Sequence, residues 1–235
     1  VTPGWQSAAA VLVTDLQRVF SSRLQAVVAY GSQVDGTGGS PLTCLALVTS
    51  LEGGDLDACA RLAHHWERQG LAVPLILPRE EFTRSLDAFP LEYNEILRAH
   101  VHVFGDDPFV GVSIARDDLR RACETQVKSH LVHLREGFIE AGGVPHAIAE
   151  LVTGSAPAFA ALLRSVARLS GSEATARLDA ARAGATAAGL PDAIVASVLA
   201  LEHGPTMLAA DAARLFPDYL RAVEQLARSV DSWRT

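Results

Sequence analysis

The stretch 30-YGSQVDGTGGSPLTCLALVTS-50 decides how this chain is read. A hydrophobic run, Leu24 to Tyr30, stops at Gly31-Ser32. A loop with Gly36, Gly38 and Gly39 follows, and a second hydrophobic run begins at Leu42. Leu24 to Tyr30 is short and valine-rich, which reads as a strand, and Leu42 to Val48 reads as another. A Gly-Ser turn between strands has the form of a phosphate-binding turn, in which backbone N–H groups meet the ligand. The GxGxxG dinucleotide fingerprint starts at neither Gly31 nor Gly36, and the GxxxxGK[ST] phosphate loop is absent.

On the N-terminal side, apolar residues at 5, 9, 12, 13, 16, 19 and 20 have helical spacing. On the C-terminal side, Asp55 caps a helix that buries Leu56, Cys59, Leu62, Ala63 and Trp66 and stops at Gly70. Leu71 to Leu77 reads as a third strand, and Pro74 within it favours an edge or a bulge. A short helix over Arg79 to Asp87 and a strand over Val101 to Phe104 complete the front of the chain.

Past residue 114 the character changes. Asp117 starts a long helical pattern through Leu119, Cys123, Val127, Leu131, Leu134 and Phe138. From Ala141 onward 25 of 95 residues are alanine, the best helix former, so helices are expected to the end. The segments GGVP, TGSAP, SGS, AGLP and HGP read as the turns between them. The fold class is therefore α+β: a small mixed-sheet α/β domain over 1–112 and an all-α helical bundle over 113–235.

This order resembles the nucleotidyltransferase superfamily that includes DNA polymerase β and the antibiotic nucleotidyltransferases. That family's pattern is a strand ending in Gly-Ser, about ten residues, and a strand carrying Asp-x-Asp, with a third acid on a later strand. Gly31 and Ser32 match the turn, and the resemblance makes them the nucleotide- or phosphate-binding candidates. Eleven residues separate Ser32 from Cys44, so the resemblance puts the two aspartate positions at Cys44 and Ala46 and the third near Pro74. None is acidic. Phe89, Pro90, Glu92, His100, His102, Gly105, Asp107 and Pro108 extend the likeness to a bacterial branch with a degenerate Asp-x-Asp motif and a helical second domain. Asp35, Glu92 and Arg79 are further candidates for the cleft.

The missing acids matter because Mg²⁺ is held by hard oxygen ligands, commonly one or two carboxylates plus the phosphates. A thiol and a methyl group do not replace them. The resemblance thus implies a nucleotidyltransferase-like protein, catalytically degenerate, that binds a nucleotide, a small ligand or a protein partner. The alternative is an active transferase acting on a small-molecule or protein hydroxyl, with Mg²⁺ held by relocated acids such as Asp35, Glu52, Asp55, Asp57, Glu80, Glu81, Asp87 or Glu92. A third reading is a structural or oligomerising helical protein with a relic α/β unit. No cofactor is expected under the first reading.

Other constellations are weaker. His130, His133 and Glu136 share a helix at spacing three and three, but HExxH is absent and they read as surface or interface residues. His64 and His65 are adjacent on a helix and point apart. His100 and His102 share one strand face. Phe89-Pro90-Leu91-Glu92 reads as a structural joint. No GxSxG elbow occurs.

Composition sets the remaining limits. Hydrophobic residues are 49% and charged residues 20% of the 235, enough for a real core. A net charge of −7, with Lys128 the single lysine, argues against general nucleic-acid binding and against docking on anionic lipid. Cys44, Cys59 and Cys123 are odd in number and scattered, which suits reduced thiols and a cytoplasmic setting. The start, VTPGWQSAAA, lacks the basic residues of a signal peptide, and no apolar stretch approaches the ~20 residues of a span.

Overall fold

The computed structural model describes residues 4–34, 36, 41–174, 176–202 and 204–233. The chain forms two compact units, Val1–Ala115 and Arg116–Thr235.

In the first unit, α1 (Trp5–Phe20) buries Ala8, Ala9, Leu12, Leu16 and Phe20, the stripe its spacing anticipates. A single 3-10 turn, Ser21–Arg23, leads into β1 (Leu24–Tyr30). After the Gly-Ser loop come β2 (Thr43–Val48) and α2 (Gly53–Arg68). Asp55 is not the cap of α2 but its third residue, where its Oδ2 accepts the Glu52 N–H at 2.9 Å. That shift in phase leaves Leu56 exposed, while Cys59 and Trp66 are buried as expected.

The third strand is shorter than the sequence suggests. β3 is Leu75–Pro78, and only an isolated bridge from Leu71 to Leu42 precedes it. Pro74 therefore lies before β3 rather than at its centre, because a residue without an N–H cannot join the ladder. Next come α3 (Arg79–Arg84), α4 (Pro90–Arg98) and β4 (His100–Gly105). The joint read at Phe89-Pro90 is the start of α4, with Pro90 in its first turn.

The sheet order is β3-β2-β1-β4. β1 runs antiparallel to both β2 and β4, and β2 runs parallel to β3. α1 and α2 cover one face, burying Val27, Ala29, Cys44, Ala46 and Val48. On the other face Ala26, Val28, Leu45 and Leu47 pack with Phe82, Tyr93, Ile96 and Phe109.

The second unit is helical, as its alanine content anticipates: α5 (Arg116–Glu140), α6 (Pro145–Leu169), α7 (Arg177–Ala187), α8 (Asp192–Leu199) and α9 (Ala209–Ser232). The TGSAP segment is not a turn. α6 runs straight through it, with Pro157 inside the helix. By length and composition α6 is long and apolar enough to cross a membrane, with mean hydropathy 1.3. Here it packs against its neighbours, burying Val152, Phe159, Leu163 and Val166.

Candidate functional site

The Gly-Ser turn closes the end of β1. Tyr30 pairs with Thr43 on one side and with His100 on the other. Gly31 has φ +85°, a conformation L side chains rarely adopt, and a Cβ there would lie 2.9 Å from Thr43 Oγ1. The Val34 N–H donates to the Gly31 carbonyl at 2.9 Å, so the chain turns at once. The Thr43 hydroxyl donates to the Tyr30 carbonyl at 2.7 Å and ties the start of β2 to this turn. Asp35 lies outside the described residues.

Alternation on β2 then decides which side chains can serve a site here. Cys44 and Ala46 are 1% and 0% exposed, packed in the core under α1 and α2. The expectation that they face the cleft of the Gly-Ser turn is therefore corrected: a substrate cannot reach them there. Burial pushes the Cys44 thiol up to about 12, so it stays protonated at neutral pH. The other parity on β2 belongs to Thr43, Leu45 and Leu47. Register puts Leu75 and Leu77 of β3 beside Leu45 and Leu47, so they take over the position assigned to Pro74. The slip is one residue in phase, which exchanges the two faces of a strand.

Side chains fill this second face. Phe82 meets Tyr93 edge-on at 4.9 Å between ring centroids and Phe109 at 5.7 Å. Phe109 in turn meets His100 at 4.6 Å. The Gly-x-Asp-Pro segment delivers Phe109 there. A Cβ on Gly105 would lie 1.8 Å from the Gln25 carbonyl oxygen, so only glycine passes β1 at this point. Asp107 Oδ1 accepts the Phe109 N–H at 2.9 Å and closes the turn. His100 Nδ1 lies 3.0 Å from the Ile96 carbonyl; a carbonyl only accepts, so Nδ1 carries the hydrogen. Its Nε2 faces Asp107 at 3.8 Å. By register His100 and His102 share this face, as their spacing anticipates.

The other candidates scatter. Arg79 opens α3, and its Nε donates to Gln25 Oε1 at 2.9 Å. Gln25 is six residues before Gly31, about 20 Å along the strand, so Arg79 sits at the far end of the sheet from the turn. Asp55 is at that far end too, with both oxygens 2.7 Å from the Arg23 guanidinium. The bonds from Arg23, with that from the Glu52 N–H, hold its carboxyl down at about 2. Glu92 is exposed in the first turn of α4, where a carboxylate favours the helix N-terminus. Among the described residues no group of three or more His, Cys, Asp or Glu side chains is placed to hold a metal ion. Among the described residues, the β2 side chains beside the turn do not fit Mg²⁺: a threonine hydroxyl and leucine side chains offer no carboxylate oxygen.

His130, read as a surface or interface residue, is half-buried in the second unit, with Nε2 3.0 Å from the Tyr219 hydroxyl. His133 is exposed and contacts Glu136 at 3.3 Å.

No protein-family model matches the sequence, and no curated protein sequence matches it. Among solved structures, spectinomycin adenyltransferase AAD(9) from Enterococcus faecialis, crystallised with ATP and spectinomycin, is similar over 96% of this chain and 98% of its own. The TM-score is 0.60 and the identity 13%. A likeness of that kind concerns the fold. The chain has the nucleotidyltransferase fold, a small mixed sheet followed by a helical part, as the Gly-Ser turn and its flanking strands imply.

Proposed function

We propose that this is a nucleotidyltransferase-fold protein that has lost metal-dependent transfer and acts by binding. The observation that carries the reading is the sheet face beside the Gly31 turn. Thr43, Leu45 and Leu47 stand on it, and Phe82, Tyr93 and Phe109 cover it. Two-metal transfer stabilises the attacking and leaving oxygens through metal ions, worth several kcal/mol in the transition state. Each 1.36 kcal/mol is tenfold in rate, so the loss amounts to orders of magnitude.

Five of the eight acids considered for a relocated site receive little support. Glu52, Asp55 and Asp57 follow β2, and Glu80 and Glu81 follow β3, at the end of the sheet away from Gly31. Asp55 is already committed to Arg23. The turn itself needs no acid to bind an oxygen-rich group through backbone N–H donors. Without a divalent ion, a ligand of low negative charge is favoured over a triphosphate. The three free, buried cysteines support a reducing, cytoplasmic setting.

The test is transfer itself. The full chain is incubated with α-labelled nucleoside triphosphates, Mg²⁺ or Mn²⁺, and aminocyclitol, sugar and protein hydroxyl acceptors. We expect neither labelled product nor pyrophosphate. Turnover abolished by EDTA would establish the active-transferase alternative instead. In parallel, Ser32→Trp should remove small-ligand stabilisation of the fold in a thermal-shift assay while leaving the unliganded protein folded.

A further inference from the structure

We propose that a groove between α1 and α2 binds a primary ammonium carried on a short aliphatic chain. The groove encloses about 330 Å³ and is lined by Ala10, Val11, Thr14, Asp15, Arg18 and His65. It lies on the helices that cover the Cys44 face of the sheet, so it is independent of the transferase question.

Its centre is a carboxylate that the fold holds in place. The Asp15 side chain is only 6% exposed. The Trp66 indole N–H donates to Oδ2 at 3.1 Å, and Arg18 donates to Oδ1 at 3.2 Å. An ionised carboxylate has about four acceptor sites, so these two bonds leave capacity. His65 Nε2 stands 3.8 Å from Oδ2. That is too long for a direct hydrogen bond, yet one donor atom between them can reach both. Thr14 lines the same groove, and its hydroxyl hydrogen is taken by the Ala10 carbonyl at 2.9 Å, so what it has left to offer is acceptance.

The sign of the ligand follows from what is fixed and what swings. The Asp15 charge is buried, whereas the Arg18 side chain is 75% exposed. The Arg18 arm reaches in from solvent, and a cation that takes its place on Oδ1 keeps the buried carboxylate compensated. The fixed acceptors are then Asp15 and Thr14, with the His65 ring beside them. An anion would meet one mobile cation over a buried negative charge. An ammonium presents three donors to that acceptor set, and its methylenes lie along Ala10 and Val11.

The probe is 1,4-diaminobutane, titrated into the ¹⁵N-labelled full chain at constant ionic strength, with the Trp66 indole N–H as reporter. We expect its cross-peak to move saturably in the millimolar range. Asp15→Asn should bind at least about tenfold more weakly, a loss of about 1.4 kcal/mol. Ala10→Phe fills the groove from an exposed helix position without touching the bonds of Asp15, and should abolish the shift. Asp57→Asn, an exposed acid elsewhere on α2, should leave it unchanged. The proposal falls if no saturable shift occurs, if Ala10→Phe binds as the parent does, or if succinate reproduces the shift.

Discussion

A carboxylate buried as deeply as Asp15 exists only where donors compensate its lost hydration. The Trp66 indole supplies the buried one, and Trp66 itself is 0% exposed. Trp66→Phe keeps most of the ring volume and removes that donor. It should cost about 1–3 kcal/mol in urea unfolding, the usual penalty for a buried acceptor left unmet. A second buried polar chain lies in the helical unit, and counting hydrogens fixes its direction. Ser155 gives its hydrogen to the Val152 carbonyl at 2.9 Å, so its contact with the Tyr219 hydroxyl at 3.1 Å needs the tyrosine hydrogen. Tyr219 then has none left for His130, 3.0 Å away, and His130 must donate through Nε2. In its neutral form this histidine therefore carries its proton on Nε2 and leaves Nδ1 bare.

At the scale of elements, phase separates what the chain discloses from what it hides. α1, β1 and β4 are legible because each carries an unbroken pattern of its own. β2 is legible as a strand but not in its facing, for TCLALV is apolar at nearly every position and both parities are buried. Its facing is fixed from outside, by α1 and α2 on one side and the Phe82–Tyr93–Phe109 cluster on the other. So Gly31 and Ser32 can be placed from sequence, whereas Cys44 and Ala46 cannot be told from Thr43 and Leu45. α4 is hidden for a different reason: Phe89-Pro90 reads as a structural joint in sequence, but Pro90 starts the helix in the fold. The cluster over the second face is itself testable. Phe109 is 6% exposed and touches both Phe82 and His100. Phe109→Ala should destabilise the protein by roughly 3–5 kcal/mol, measured by thermal or denaturant unfolding. The neighbouring carboxylate, Asp107, is already bonded to the Phe109 N–H, so transfer activity should not appear.

At the scale of the whole chain, acid should weaken the two units over different pH windows. In the first unit the Asp55 carboxyl is held down at about 2 by Arg23. A depressed acid contributes stability that is complete above its unfolded value near 4 and fades as pH falls from there to about 2. In the second unit burial, with a smaller effect of His133, lowers His130 to about 4 from 6.5. For a base the depressed value means that the unfolded chain binds the proton first. This stability is complete above about 6.5 and fades as pH falls to 4. Between pH 7 and 5 the linkage amounts to roughly 2 kcal/mol for His130, while Asp55 still contributes in full. Calorimetry of the full chain at pH 7 and pH 5 should show the helical unit losing several degrees of Tm. His130→Gln isolates the cause, because the glutamine amide still donates to Tyr219 but does not titrate. Its helical transition should hardly move between the two pH values. An equal fall in His130→Gln would assign the acid sensitivity to other groups and refute the role given to this buried imidazole.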